Sequence, residues 1–276
     1  DELDDPKQFE KTVKVVIRQF LKDNYKGANM CKISKKLNED GKYVVDCKRA
    51  LSVKNTEIVS LTNGNFVFGE VGGNFDCSDC YSLTNLEGAP QKVGGAFNCD
   101  WCTNLVSLEG APKEVGKGFG CNSCKSLTSL KGAPEEIGRD FNCHNCVSLI
   151  SFKGAPEKVD SFYCYNCDSL TSLEGAPKEV RGDFNCSNCE KLTSLKGAPK
   201  EVGSYFSCSG CHSLTNLEGA PKEVGWIFDC SSCNSLISLK GAPEKVHYDF
   251  DCQGCKTQFT EVDVRKVSEV GKTIKC

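Results

Sequence analysis

A 22-residue unit recurs along most of this 276-residue chain and restricts its fold more than any other feature. The copy opening at Phe184 reads Phe-Asn-Cys-Ser-Asn-Cys-Glu-Lys-Leu-Thr-Ser-Leu-Lys-Gly-Ala-Pro-Lys-Glu-Val and ends at Val202; Phe206 opens the next. Cys-x-x-Cys pairs fall at 77/80, 99/102, 121/124, 143/146, 164/167, 186/189, 208/211, 230/233 and 252/255. Their spacing is 22 residues except for 21 between Cys143 and Cys164, where the linker Asp160-Ser161 is one residue short. Gly-Ala-Pro triplets separate the pairs. So short a unit cannot enclose a core by itself and buries its apolar side only against the next copy, so a repeat solenoid is expected.

Within one copy, Phe184 and Cys186 alternate inward on a short strand, and Leu192, Leu195 and Val202 fill the rest of the coil. Gly197-Ala198-Pro199 enforces a tight, extended, irregular return, because proline lacks a donor and restricts the residue before it. The pattern Phe-x-Cys-x-x-Cys-x-x-Leu-x-x-Leu resembles the leucine-rich-repeat signature. The phrase Ser172-Leu-Glu-Gly-Ala-Pro-Lys-Glu-Val180 is similar to short leucine-rich repeats of many bacterial, phage and large-virus proteins. The resemblance covers residues 38–255. It implies short stacked parallel strands, no catalytic residues, and an asparagine where all nine pairs here carry their second cysteine.

The array needs caps. Residues 1–29 read as an amphipathic helix, with Asp5 as N-cap, Pro6 at the first helical position, Gln8 as capping-box partner, and a stripe of Phe9, Val13, Val16, Ile17, Phe20 and Leu21. This helix is expected to lid the first coil; a partner-docking helix is the alternative. Residues 30–71 form the rest of the N-terminal cap, with a degenerate repeat over 51–71 in which Val59 takes a leucine position. Regular repeats occupy 72–255. Residues 256–276, with Phe259, Val262, Val264, Val267, Val270 and Ile274, close the other end.

The net charge of −3 gives the whole chain no electrostatic attraction to nucleic acid. Between Pro6 and Lys54, thirteen basic and five acidic residues leave +8, but no aromatic interleaving or nucleic-acid motif accompanies them. No apolar run suffices for a membrane span. Val13 to Leu21 is broken by Lys14, Arg18 and Gln19, against a signal peptide.

Twenty-one cysteines is an odd number, and a regular Phe/Leu/Val core makes disulfide stapling unnecessary. Reduced core thiols in a cytoplasmic setting are expected; the resemblance also allows a virion or phage-encoded component. The alternative is a metal-binding or redox-active array in which Cys186, Cys189, Cys208 and Cys211 hold zinc or an iron–sulfur cluster. His144, His212 and His247 occupy three different repeat positions and form no ligand set. The Lys-Glu pairs before each Val read as solvated charges, and no phosphate-binding glycine loop is present.

Function is therefore expected in binding, with no catalysis and no cofactor. The residue between Phe and Cys points outward from the strand, as does the residue after that Cys. Asn142, His144, Tyr163 and Tyr165 cluster in these columns, and Tyr205 lies nearby. Aromatic side chains are favoured binding anchors, so these five mark the expected site for a protein partner.

Overall fold

The computed structural model describes residues 6–53 and 56–276. The repeats wind into a β-solenoid of about 10 stacked turns. Each regular coil contributes two strands of two residues. The Phe strands, from Phe75–Asp76 to Phe250–Asp251, lie parallel and in register within a 12-stranded sheet, with Phe184 opposite Phe206. The rings form a ladder: Phe162, Phe184, Phe206 and Phe228 stack at centroid separations of 5.4 Å. The paired cysteines beneath them, Cys255 excepted, and the leucines are also buried.

The second strand of each coil is the Lys/Glu-Val pair, where an irregular return was expected. Apolar Val faces in and the charged residue faces out, which suffices for pairing with the coil behind. These strands fall in two separate six-stranded sheets, the first of which is completed by Cys31–Leu37, Tyr43–Cys47 and Phe66–Val71 of the N-terminal cap. One ends at Glu136–Ile137 and the other begins at Lys158–Val159. The break is the effect of the 21-residue repeat. Elsewhere the residue after Val donates its N–H to the valine carbonyl behind, as Gly116 does to Val93 and Gly138 to Val115. In the short linker Asp160 donates to Arg139 instead. The Phe ladder continues across the junction, Phe141 opposite Phe162. Phe152, standing where neighbouring coils have Leu130 and Leu173, fills the space edge-on to Phe162 at 5.1 Å.

The tightness of each return rests on glycine as much as on proline. Gly197 has φ 98°, and a Cβ there would meet the Leu173 carbonyl oxygen of the coil behind at 2.4 Å. Only a residue without a side chain permits that approach.

At the N-terminal end, α1 (Pro6–Asn24) packs Ile17 and Leu21 onto the first coils, with Phe20 edge-on to Phe66 at 5.9 Å. The Asn24 side chain caps the helix by donating to the Phe20 carbonyl, and Gly27 at φ 88° turns the chain away. The proposed Asp5 cap lies outside the described residues, as does Lys54. Part of the expected stripe does not pack: Phe9 and Val16 are exposed, and the packed side of the helix consists of Ile17 and Leu21 with Val13 and Phe20 beside them. Next come β1 (Tyr25–Lys26), β2 (Cys31–Leu37), β3 (Tyr43–Cys47), β4 (Leu51–Val53) and β5 (Phe66–Val71). Strand β1 runs antiparallel to β4, and β2 antiparallel to β3; β3 and β4 then run parallel to β5 and the first Phe strand. Leu51 sits opposite Phe75, as the degenerate repeat requires. Val59, however, is exposed, and Ile58 and Leu61 take the buried positions.

At the other end, α2 (Glu261–Arg265) carries a capping box between Thr260 and Asp263. Phe259, Val264 and Val270 are buried, whereas Val262 and Val267 face outward on and after this short helix. Glu269–Val270 and Ile274–Lys275 extend both ladders by one rung.

Candidate binding face and the thiol ladder

Three outward columns flank the Phe strands: the residue before Phe, the residue after it, and the residue after the first Cys. Together they hold Asp76, Asp100, Asp140, Asp183, Asp229, Asp249 and Asp251, and no Lys or Arg from residue 74 to 253. Each carboxylate is anchored by neutral donors. Asp76, Asp229 and Asp251 accept from the N–H two residues on, while Asp100, Asp140 and Asp183 accept from the next coil. Asp249 accepts from Thr273 N–H, and Lys275 lies 3.8–3.9 Å from Asp251 and Asp249. Charge on the other edges is balanced from coil to coil: Lys92–Glu114, Lys158–Glu179, Lys178–Glu157, Lys196–Glu174, Lys222–Glu244 and His247–Glu223 pair across neighbours. These exposed pairs contribute little stability. They leave the sheet face as an acidic stripe.

The five residues singled out from sequence come together on this face, all half-buried. Asn142 lies opposite Tyr163 in the sheet. His144 stacks on Tyr165, centroids 4.3 Å apart and planes 10° from parallel. The Tyr163 hydroxyl donates to Asp183, which also accepts from the Tyr205 N–H, and the Tyr205 hydroxyl donates to Asp229 at 2.6 Å. Tyr205 is thus tied to the other four through Asp183. Burial lowers the His144 pKa, so the imidazole is held neutral. Asn122 Oδ1 and His144 Nδ1, from adjoining coils, are buried with no hydrogen-bond partner among the described residues.

Much of the outward variability has a local cause. Asp76, Asn98, Asn185, Ser207, Asp229 and Asp251 all accept from the backbone two residues on, closing the turn into Cys-x-x-Cys. Asn142 and Tyr163 do not make this bond.

Trp101 was not singled out from sequence. The position before each second Cys is left-handed in every repeat, with φ from 54° to 67°, and elsewhere holds Asp, Asn, Ser or Gly. Trp101 sits there at φ 61°, half exposed. A bulky residue in that conformation is strained, and its departure from the column's composition was the available signal. Trp101→Asn is expected to stabilise the fold by about 1 kcal/mol, read as a higher urea midpoint; a lower one would show that the indole contributes more by packing.

The cysteines form two ladders. The second thiol of each pair donates to the carbonyl of the first Cys in the coil behind: Cys189 to Cys164 at 3.3 Å, Cys211 to Cys186 at 3.3 Å, and likewise from Cys102 through Cys255. Among the described residues no group of three or more His, Cys, Asp or Glu is disposed to hold a metal ion, so Cys186, Cys189, Cys208 and Cys211 are not assembled as a ligand set. Cys31 and Cys47, outside the array, are joined as a disulfide across the β2–β3 hairpin. Their near-equal distance from the Asn38–Gly41 turn was a signal that sequence reading did not use.

Burial pushes the Cys99, Cys121, Cys143, Cys164, Cys186 and Cys230 thiols well above their ordinary pKa; at Cys77 and Cys208 the thiol of the next coil, Cys102 or Cys233, contributes more than burial. In the unfolded chain these thiols ionise near pH 8.5. Above that pH the unfolded chain binds fewer protons than the native one, so stability is full below it and falls as pH rises. Urea midpoints measured from pH 7 to 10 should hold steady and then drop sharply; a flat profile would contradict buried, protonated thiols.

None of the protein-family profiles, curated proteins or solved structures compared with this chain matches it. The fold is that of a cysteine-rich β-solenoid repeat protein, an architecture compatible with a binding or scaffold role. No helix among the described residues is long and apolar enough to cross a membrane.

Proposed function

We propose that the chain is a non-enzymatic binding or scaffold module built on leucine-rich-type coils, whose sheet face takes a protein segment rich in Lys and Arg. One observation carries the reading: seven Asp and no Lys or Arg in the three outward columns of the nine regular coils, the basic Lys26 and Lys275 standing only at the two ends of that sheet. The stacked His144–Tyr165 pair offers a flat surface for a guanidinium group, which favours aromatic faces. The fixed Asp side chains need no reordering to accept its hydrogen bonds, which lowers the entropic cost of association. No cofactor enters this reading.

The test is binding of the full chain to peptides of matched length and graded charge. Arginine-rich peptides should bind, more weakly as salt rises, and Tyr165→Ala should reduce affinity about 10-fold or more. A preference for acidic or neutral peptides, or affinity unchanged in Tyr165→Ala and Asp183→Asn, would overturn the proposal.

A further inference from the structure

Eighteen cysteines belong to the nine pairs and two form the N-terminal disulfide, which leaves Cys276. Its thiol is exposed, and its sulfur lies 3.5 Å from that of Cys252. The register explains the contact. Phe250 pairs with Ile274 and Asp251 with Lys275 in parallel strands, so Cys252 and Cys276 form the next rung, and Cys252 N–H donates to the Lys275 carbonyl at 2.8 Å. Neighbouring strands run about 4.8 Å apart, inside the span a disulfide bridges. Cys255, the other thiol at this end, is directed away and donates to the Cys230 carbonyl at 3.2 Å.

We propose that Cys252 and Cys276 are a disulfide-forming site, oxidised by a low-molecular-weight disulfide of the glutathione class, which staples the last strand to the array. Exposed Cys276 reacts first. It releases a proton to water, and its thiolate attacks one sulfur of the oxidised glutathione; that sulfur–sulfur bond breaks and one glutathione thiolate leaves. Cys252 then gives its proton to solvent and attacks the Cys276 sulfur of the mixed disulfide, expelling the second glutathione thiolate. Two protein thiols and one glutathione disulfide become one protein disulfide and two glutathione thiols. Burial pushes the Cys252 thiol up, which makes the second step the slow one. The bond closes a loop containing α2, Phe259 and Val264, so it ties the C-terminal cap down much as Cys31–Cys47 ties the N-terminal one.

The experiment equilibrates the full chain in glutathione buffers from reducing to as oxidising as the endoplasmic reticulum lumen. Remaining thiols are alkylated after denaturation, counted and mapped by fragmentation mass spectrometry. The native chain should fall from 19 free thiols to 17, the lost pair being Cys252 and Cys276. Cys276→Ser should abolish the loss, and Cys255→Ala should leave it intact. Three results would overturn the proposal: all 19 thiols surviving, glutathione persisting on Cys276, or a bond from Cys276 to Cys255.

Discussion

Phe162→Ala is expected to divide the array into two independently unfolding halves. The fully buried ring stacks on Phe141 at 5.5 Å and on Phe184 at 5.4 Å, and receives the edge of Phe152. Truncating a buried Phe costs about 3–5 kcal/mol. At most positions in a solenoid that loss is shared, because each coil is held by its neighbours through both sheets. At this junction the Val sheet is interrupted, and the Phe sheet alone carries strand pairing from one half to the other. Urea unfolding of Phe162→Ala should therefore show two transitions, with early proteolysis near Asp160-Ser161. Phe184→Ala, of equal chemistry but with both sheets intact around it, should shift a single transition by a similar energy. If both variants unfold alike, the interruption has no energetic consequence.

Gly197→Ala should be nearly as damaging although it adds only a methyl group. Two costs combine. A left-handed backbone costs an L-residue about 1–2 kcal/mol, and the new Cβ would stand 2.4 Å from the Leu173 carbonyl oxygen, 2.5 Å from its carbon and 2.6 Å from the Glu174 Cα. Those atoms are backbone of the coil behind and yield only if the coils move apart, so about 3–4 kcal/mol is expected in total. Gly64→Ala isolates the first cost. Gly64 has φ 83° with nothing within 4 Å of the position a Cβ would take. It should lose only about 1–2 kcal/mol. Equal losses at the two positions, measured by urea midpoint, would mean that close approach between coils does not matter.

The solenoid was legible because Phe184, Cys186, Leu192, Leu195 and Val202 recur at fixed positions, and a core built by stacking identical coils leaves that pattern in the letters. The second sheet was not, since two residues such as Glu201-Val202 are too few for alternation to signal a strand. The break in that sheet was equally hidden: the shortened linker is plain, but whether Phe or Val pairing absorbs it depends on three-dimensional geometry. In the caps, periodicity found the helix but not which of its apolar residues pack, so Phe9 and Val16 were misplaced. The grouping of Asn142, His144, Tyr163 and Tyr165 on one face was legible from the outward columns. The hydrogen-bonded route from Tyr163 through Asp183 to Tyr205 was not, because it crosses between coils. The role of the second cysteine became clear only when its thiol was seen to face a carbonyl 25 residues behind it.

That bond has a direction: every coil gives one thiol proton toward the N-terminus and offers one carbonyl toward the C-terminus. A coil inserted between two others would bring its own donor and its own acceptor, and a deleted coil would remove one of each. Bonding therefore stays complete for any number of repeats, with unmatched groups confined to the two ends. The length of such a protein is a quantity that gene duplication and loss can vary freely, and what must be encoded separately is where it stops.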